Sequence, residues 1–512
     1  MQYVRMPGIA EGKLEDRRYQ SAISAVCLRQ NTLVILPTGL GKTAVALLVS
    51  ARVLEEGKKV LLLAPTKPLV DQHASYFSEM LTDAKVGMLN GQMRPPKRKE
   101  VVESSDFVVS TPQSVSNDLD NKVYTLGGFG MVIFDEAHRA TGNYDYVNVA
   151  KYLPKGCRSM GMTASPGSDA SRIEEVCNNL GLTHIEMRTD DDPDVSPYVH
   201  DTYTNRIEVT LPQEILDISA ELKKVLNGYF DDLVALKLAN PGWPASKKHM
   251  LTIQGSLQAR LARGEKTFAV FRGLALTSMC IKLLYAIELA ETQGVPQLRA
   301  FMSKINKDAE GAGASKADRE LVKDRGYQHA WHMVDTSRVG HPKISKVMSL
   351  VSQVLASGES PRILVFAQYR ETCDILAEKL SAVAGARVAK LIGQANGGLK
   401  QKEQVEMLDR FRHGDFNVVV STSVGEEGLD IASTNAVIFY EPVSSEIRTI
   451  QRRGRTGRKN DGEVYVLVAK DTVDEAVEKA SKRKEELMRQ RLESLSRSLS
   501  DQPRVGSGQT YF

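Results

Sequence analysis

The chain has 512 residues, 42% of them hydrophobic and 25% charged, a balance that fits a soluble globular protein of two to four domains. Its net charge is only +4, so any nucleic-acid footprint has to be local. The longest apolar stretch, 32–54, is broken by Pro37, Gly39, Gly41 and Lys42, and the first residues lack a signal-peptide core, so no membrane span or membrane partner is expected. Cys27, Cys157, Cys177, Cys280 and Cys373 lie far apart with no Cys-x-x-Cys pair. That suits reduced thiols in a cytoplasmic protein better than a structural zinc or an iron–sulfur cluster.

In chain order, "TLVIL" (32–36), "VLLLAP" (60–65), "FVVST" (107–111) and "MVIFDEAH" (131–138) read as buried strands separated by helical stretches. This is the rhythm of a parallel α/β domain. After "RIEVTL" (206–211) strands vanish, and long helix-compatible segments such as 268–294 take over until about Gly340. The α/β rhythm then returns with "RILVFA" (362–367), "NVVVSTS" (417–423), "AVIFYEP" (436–442) and "EVYVLVA" (463–469). The expected organisation is an α/β domain over 1–200, a helical insert over 201–340 and a second α/β domain over 341–485. A charged helix end and a polar, disordered tail fill 486–512.

"LPTGLGKT" (36–43) follows a strand and opens a helix. A glycine-rich turn there, with Thr38, Gly39 and Gly41, points backbone N–H groups at an anion where the helix dipole helps. Lys42 would reach the β/γ-phosphates and Thr43 would ligate Mg²⁺. Leu36 stands where the general G-x-x-x-x-G-K-[ST] pattern has its first glycine. "VIFDEAH" (132–138) supplies the other half. Asp135 at the strand end can hold Mg²⁺, and Glu136 can orient or deprotonate the attacking water. A lone carboxylate pair at a strand end is common on surfaces. Two such motifs in order, each at a strand's carboxyl end, point to ATP hydrolysis.

A third stretch, "QRRGRTGR" (451–458), holds four arginines in eight positions. It is compatible with a polymer backbone, a transferring phosphoryl group or a solvated charge run.

Together with "PTGLGKT", "APTKPLV" (64–70), "STPQS" (110–114), "DEAH" (135–138), "TAS" (163–165) and "STSVGEEGLDI" (421–431), that stretch resembles the ordered motif series of superfamily 2 helicases. Within them, "DEAHRATGNYDYV", "SVGEEGLD" and "FYEPVSSEIRTIQRRGRTGR", with a helical insert between the halves, are most similar to archaeal Hef and its Fanconi anaemia M-type relatives. The Dicer and RIG-like RNA helicases are near cousins. The resemblance implies two RecA-like parallel-sheet domains closing across ATP and Mg²⁺. It makes Lys42, Asp135, Glu136, Arg455 and Arg458 the catalytic set, the two arginines acting as fingers on the γ-phosphate. Gln451 and Arg452 would link the nucleotide to the domain interface, while Arg453 has no clear role. Gln20 resembles the adenine-reading glutamine, against the alternative of a surface glutamine. Asp430 resembles a ribose partner. Thr163 and Ser165 resemble the element coupling ATP state to strand grip, and His138 either bridges them to the carboxylates or is simply packed.

Thr66, Lys67, Thr111, Pro112, Gln113, Thr422 and Ser423 lie in polar turns suited to phosphate-and-sugar contacts along a strand without base readout. Such clusters are also ordinary strand-to-helix turns. The insert carries 19 Lys+Arg against 16 Asp+Glu over 200–340, a net of +3. Arg260, Arg263 and Lys266 are expected on one helix face, as a duplex grip or a solvated face. The 54 residues after Arg458 are too few for the nuclease domain that Hef proteins often carry, so a motor without cutting activity is expected.

The implied function is an ATP-dependent DNA helicase or translocase on forked and junction DNA, moving 3′→5′ and associated with the nucleoid. The alternatives are an RNA-stimulated ATPase of the Dicer/RIG type and an ATP-gated DNA-binding scaffold that recruits a separate nuclease or a sliding clamp.

Overall fold

The computed structural model describes residues 3–36, 39–164, 170–188, 192–198, 204–311, 313–357, 361–392, 401–422, 434–442 and 463–501. Short β-branched and leucine-rich runs form strands buried on both faces, as parallel sheets require. In the first half these are β1 (Thr32–Ile35), β2 (Lys59–Leu63), β3 (Val86–Met88), β4 (Phe107–Ser110), β5 (Phe129–Asp135), β6 (Arg158–Thr163) and β7 (His184–Met187). They pair, all parallel, in the order β3-β4-β2-β5-β6-β1-β7.

Helices α1 (Arg18–Cys27), α2 (Lys42–Glu55), α3 (Lys67–Met80), α4 (Pro95–Ser104), α5 (Pro112–Asp120), α6 (Asp145–Ala150) and α7 (Ala170–Leu180) supply the crossovers. Alternate residues of β1 serve opposite cores: Val34 joins Phe77 and Met160, while Leu33 and Ile35 join Phe134 and Tyr146.

The next strand, β8 (Thr204–Val209), lies in the stretch expected to begin the insert. It is instead the edge strand of the second sheet, paired with β13 from Thr204↔Val464 to Val209↔Ala469. Its alternating polar sequence fits an edge position and left no signal of its partner, which lies some 260 residues on. The bundle proper comprises α8 (Gln213–Ala235), α9 (Lys247–Ala262), α10 (Phe268–Thr292), α11 (Val295–Glu310), α12 (Lys316–Leu321) and α13 (Arg325–Thr336). By length and composition α10 could cross a membrane, yet 50% of its most apolar window is buried, and it packs on α8, α9, α11 and α12 as the bundle's centre.

The second half adds α14 (Pro342–Ala356), β9 (Ile363–Phe366), α15 (Arg370–Ser381), β10 (Val388–Leu391), α16 (Gln401–His413), β11 (Val418–Ser421), β12 (Ala436–Phe439), β13 (Glu463–Ala469) and α17 (Val473–Asp501). Its sheet runs β10-β11-β9-β12-β13-β8, again all parallel among the described strands. Helix α17 starts before 486 and runs through 494–501, part of the stretch expected to be a disordered tail. Packing of α17 on β7 and α7 ties it to the first half. Residues 502–512 lie outside the described residues.

The carboxyl end of α10 is joined to the second half by a buried polar cluster. His341 bonds the Glu291 carbonyl through Nε2 at 3.0 Å, and its Nδ1 accepts from the Lys343 amide at 3.3 Å. Lys343, fully buried, meets Asp474 Oδ2 at 2.5 Å, donates to the Thr292 carbonyl at 3.4 Å and lies 5.1 Å from the Tyr440 ring centroid. Gln293 donates to Glu441 at 3.0 Å and accepts from Thr372 at 2.7 Å. Burying an ammonium costs several kcal/mol unless it is paired, and here Asp474 and the Thr292 carbonyl at the helix end share that task.

Burial, with the Lys343 charge adding to it, pushes His341 down to about 3, because protonating Nδ1 would set a proton against the Lys343 N–H. A depressed histidine contributes stability that is complete above the unfolded value of about 6.5 and is lost as pH falls toward 3. The stability gap between the parent and His341→Gln should therefore narrow by about 1.4 kcal/mol per pH unit between pH 6 and 4. Urea midpoints of both proteins at pH 7, 6, 5 and 4 check this, and a constant gap would place the charged form in the fold.

Candidate functional site

Because every described strand of the first sheet runs the same way, the turns leaving β1, β2, β4, β5 and β6 gather on one edge. In sheet order, β6 stands between β5, which carries Asp135, and β1, which leads to the glycine turn. The polar turns of β2 and β4 lie on the other side of β5.

Gly41 caps α2 in the left-handed region at φ 79°, where a side chain is strained. A Cβ there would come 2.3 Å from the Gln20 amide nitrogen. Gln20 is buried, which excludes the surface-glutamine alternative, and its Nε2 donates to the Leu40 carbonyl at 3.1 Å. Tyr19 donates to the same carbonyl at 2.7 Å. α1 thus holds the turn in shape from below. Lys42 begins α2 and donates to the Leu36 carbonyl at 3.1 Å, across the mouth of the turn. Gly39 (φ 91°) completes the described part, and Thr43 is half-buried in the first turn of α2. Thr38 lies outside the described residues.

Asp135 is buried at the end of β5. Its Oδ2 is 2.8 Å from His73 Nε2, and its Oδ1 accepts the Glu136 N–H at 3.0 Å. Burial alone would raise its pKa, but the hydrogen bond and charge of His73, with the Lys42 ammonium, outweigh this and hold it below the ordinary value. Tyr146 fixes the strand end, its one hydroxyl proton shared between the Asp135 carbonyl at 2.6 Å and the Leu63 carbonyl at 3.1 Å.

Glu136 has φ 49° and ψ 50°, a conformation that costs a non-glycine residue about 1–3 kcal/mol. It turns the carboxylate out of the strand line toward His138, whose Nδ1 lies 3.3 Å from Glu136 Oε2 and 3.0 Å from Thr163 Oγ1. His138 therefore stands between the second carboxylate and the end of β6.

An Mg²⁺ ion held with ATP takes most of its ligands from phosphates and water. One carboxylate and one hydroxyl, Asp135 and Thr43, suit it, and no all-protein metal cluster is present among the described residues.

On the neighbouring turns, Thr66 immediately precedes α3, with Lys67 exposed behind it, and Thr111 immediately precedes α5, its hydroxyl 3.1 Å from Ser114 Oγ. Gln113 is exposed, whereas Pro112 and Thr422 are buried and present no side chain to a passing strand. Ser165, Ser423, Asp430, Gln451, Arg452, Arg453, Arg455 and Arg458 lie outside the described residues.

The expected helix face of Arg260, Arg263 and Lys266 is not formed. α9 stops at Ala262, and Gly264 (φ 88°) closes it, with Gly264 N–H on the Leu261 carbonyl and Glu265 N–H on the Arg260 carbonyl. Lys266 sits in the turn beyond, and Arg260 is paired with Glu265. The Arg-Gly pair was the stop signal in the sequence. His73 and Tyr146 were missed because nothing in their local sequence marks a residue whose partner lies on another strand.

Three family models match in order: "DEAD/DEAH box helicase" over 17–173, "Putative ATP-dependent RNA helicase, helical bundle" over 214–340 and "Helicase conserved C-terminal domain" over 343–460. A crystal structure of the Pyrococcus furiosus Hef helicase domain superposes with a TM-score of 0.73 at 39% identity, covering 91% of this chain and 98% of that one. The chain belongs to the Hef and Fanconi anaemia M-type helicases.

Among curated relatives of this family member, "Putative ATP-dependent RNA helicase MJ1505" of Methanocaldococcus jannaschii is 37% identical over 96% of the chain and 63% of its own length. "ATP-dependent DNA helicase MPH1" of Pyricularia oryzae is 33% identical, with 92% and 45% covered. The mouse "Fanconi anemia group M protein homolog" is 31% identical, with 88% and 24% covered. The chain thus spans less than two thirds of each of these relatives.

Lys42→Ala should lose hydrolysis together with nucleotide affinity, whereas Glu136→Gln should keep affinity and lose ~10²–10⁴ in turnover. Nucleotide titrations beside steady-state rates separate the two, and wild-type turnover in Glu136→Gln would remove that residue from its role. His73→Phe, which keeps volume but not the hydrogen bond, should raise the Mg²⁺ requirement about 10–100-fold, with partial rescue in His73→Gln. An unchanged Mg²⁺ titration would make His73 a packing residue.

Proposed function

We propose that the chain is the motor of an ATP-dependent DNA helicase or translocase that acts on forked and junction DNA and moves 3′→5′. The observation that carries this reading is the shared sheet edge. Lys42, Thr43, Asp135 and Glu136 occupy the turns after β1 and β5, and the polar turns after β2 and β4 stand beside them. One buried contact spans the two groups: His73, on the helix that begins with Lys67, bonds Asp135.

In this reading, the backbone of the glycine turn and Lys42 hold the nucleotide's phosphates, and Thr43 and Asp135 hold Mg²⁺, which neutralises phosphate charge when bound. Glu136 orients the attacking water and accepts its proton, with His138 relaying the state of that carboxylate to Thr163. Arg455 and Arg458 complete the charge stabilisation from the second half. Thr66, Lys67, Thr111 and Gln113 grip a strand through phosphates and sugars, which favours no branch over plain single strand. Branch preference then falls to the bundle.

The relatives' names divide between DNA and RNA helicases, and the family model for the bundle carries an RNA name. An RNA-stimulated ATPase is therefore the second reading. The names of the Pyricularia and mouse relatives and the Hef neighbour support DNA.

The test keeps the full chain, since excising the bundle would strip His341, Lys343 and Glu441 of buried partners. ATP hydrolysis is measured with single-stranded DNA, blunt duplex, fork, four-way junction and RNA of matched length. Fork and junction are expected to stimulate most. Stimulation by RNA equal to or above that by any DNA would replace the proposal with the second reading.

A further inference from the structure

The tip of the α9–α10 hairpin carries the most exposed aromatic side chain among the described residues. Phe268 is 75% exposed and Phe271 52%. They stand three positions apart in the first turn of α10 and so share one face. That turn is fixed. Thr267 caps it by accepting the Val270 N–H at 3.4 Å, Val270 is buried, and Gly273 lets Leu238 and Leu257 close on the helix where a Cβ would meet them at 2.5 and 2.8 Å. The loop before it is held by the Gly264 cap. The rings are therefore presented by rigid backbone, and no core residue covers them.

The charge around them is weighted to the positive. Glu265 is paired with Arg260, and Arg272 is shared between Glu320 and the more exposed Asp232. Arg263 and Lys266 are exposed and have no ion-pair partner among the described residues. A rigid aromatic pair beside uncompensated cations is the arrangement that binds single-stranded nucleic acid, rings taking base faces and cations taking phosphates.

We propose that Phe268 and Phe271 stack on bases left unpaired where a duplex arm opens, with Arg263 and Lys266 on the adjoining phosphates. This rests on the DNA-motor reading and names the surface that gives it branch preference. Bases within a duplex hide their faces in the stack, so the tip distinguishes an opened junction from an intact arm. A second copy is disfavoured, because a two-fold contact would set Arg263 and Lys266 against their own copies. A membrane is disfavoured because beyond Phe271 the buried residues of α10 (Gly273, Leu276 and Thr277) turn into the bundle.

The experiment measures binding of the full chain, without nucleotide, to a fork with unpaired arms and to a blunt duplex of equal length across a salt series. Phe268→Ala/Phe271→Ala should lose roughly 10-fold or more on the fork, as expected for lost base stacking, with duplex affinity and salt slope unchanged. Arg263→Glu/Lys266→Glu should flatten the salt slope on both. Phe268→Trp should keep fork affinity, with its emission quenched by fork and not by duplex.

Fork affinity unchanged in the double alanine variant overturns the proposal. So does a parent that binds anionic phospholipid vesicles or dimerises through these rings, with either property lost in that variant. If the parent's ATP hydrolysis responds to DNA while the alanine variant binds forks normally, only the tip assignment falls. If hydrolysis responds to no DNA, the motor reading falls first and the tip assignment with it.

Discussion

Parallel pairing is the constraint from which the site follows. A parallel strand cannot turn directly into its neighbour, so each connection crosses a face and every strand ends on the same edge. The consequence is geometric: residues more than a hundred positions apart in sequence, such as Lys42 and Thr163, are brought to one rim by sheet order alone. Helices on both faces then demand apolar residues on both sides of each strand, and the two cores flanking β1 meet that demand. Polar chemistry is left to the turns.

At that rim Asp135 is where the connections converge. It receives an imidazole from α3, an amide from its own chain and a tyrosine on its carbonyl, and it stands next to a residue held in a costly left-handed conformation. Glu136 in an extended conformation would continue the strand, with its carboxylate on the next face of the sheet. The left-handed step ends β5 and delivers the carboxylate to His138. Tyr146, in contact with the strand ends of both β2 and β5, ties the part of the rim that carries Asp135 to the part that carries the polar turn after β2.

Sequence made most of the strands and the nucleotide turn legible because their signals are local, whereas β3, β6, β7 and β10, short or broken by glycine and charged residues, went unread. Apolar runs, a glycine turn before a helix and a carboxylate pair after a strand each occupy fewer than ten residues. What stayed hidden depends on partners far along the chain. β8 looked like the start of the insert because its mate β13 comes after the whole bundle. His73 reads as an ordinary helix residue until β2 and β5 are known to be neighbours. The basic trio on α9 was an error of period: extending a helical face through Arg263-Gly264 ignored a stop that Gly264 supplies. The serine-rich end of α17 misled by composition, since its backbone stays helical to Asp501.

The buried joint at the end of α10 has a mechanical consequence. His341, Lys343 and Glu441 belong to the second half, yet they bond the last turn of a bundle helix, so bundle and second sheet are bound to travel together. The same helix begins at the exposed phenylalanines, so joint and tip are opposite ends of one rod of 25 residues. At 1.5 Å per residue that rod is about 37 Å long, and a rotation of about 10° at the joint sweeps its far end through about 6 Å. A small rotation at one end of α10 thus becomes, at the other, a stroke about as large as an aromatic ring.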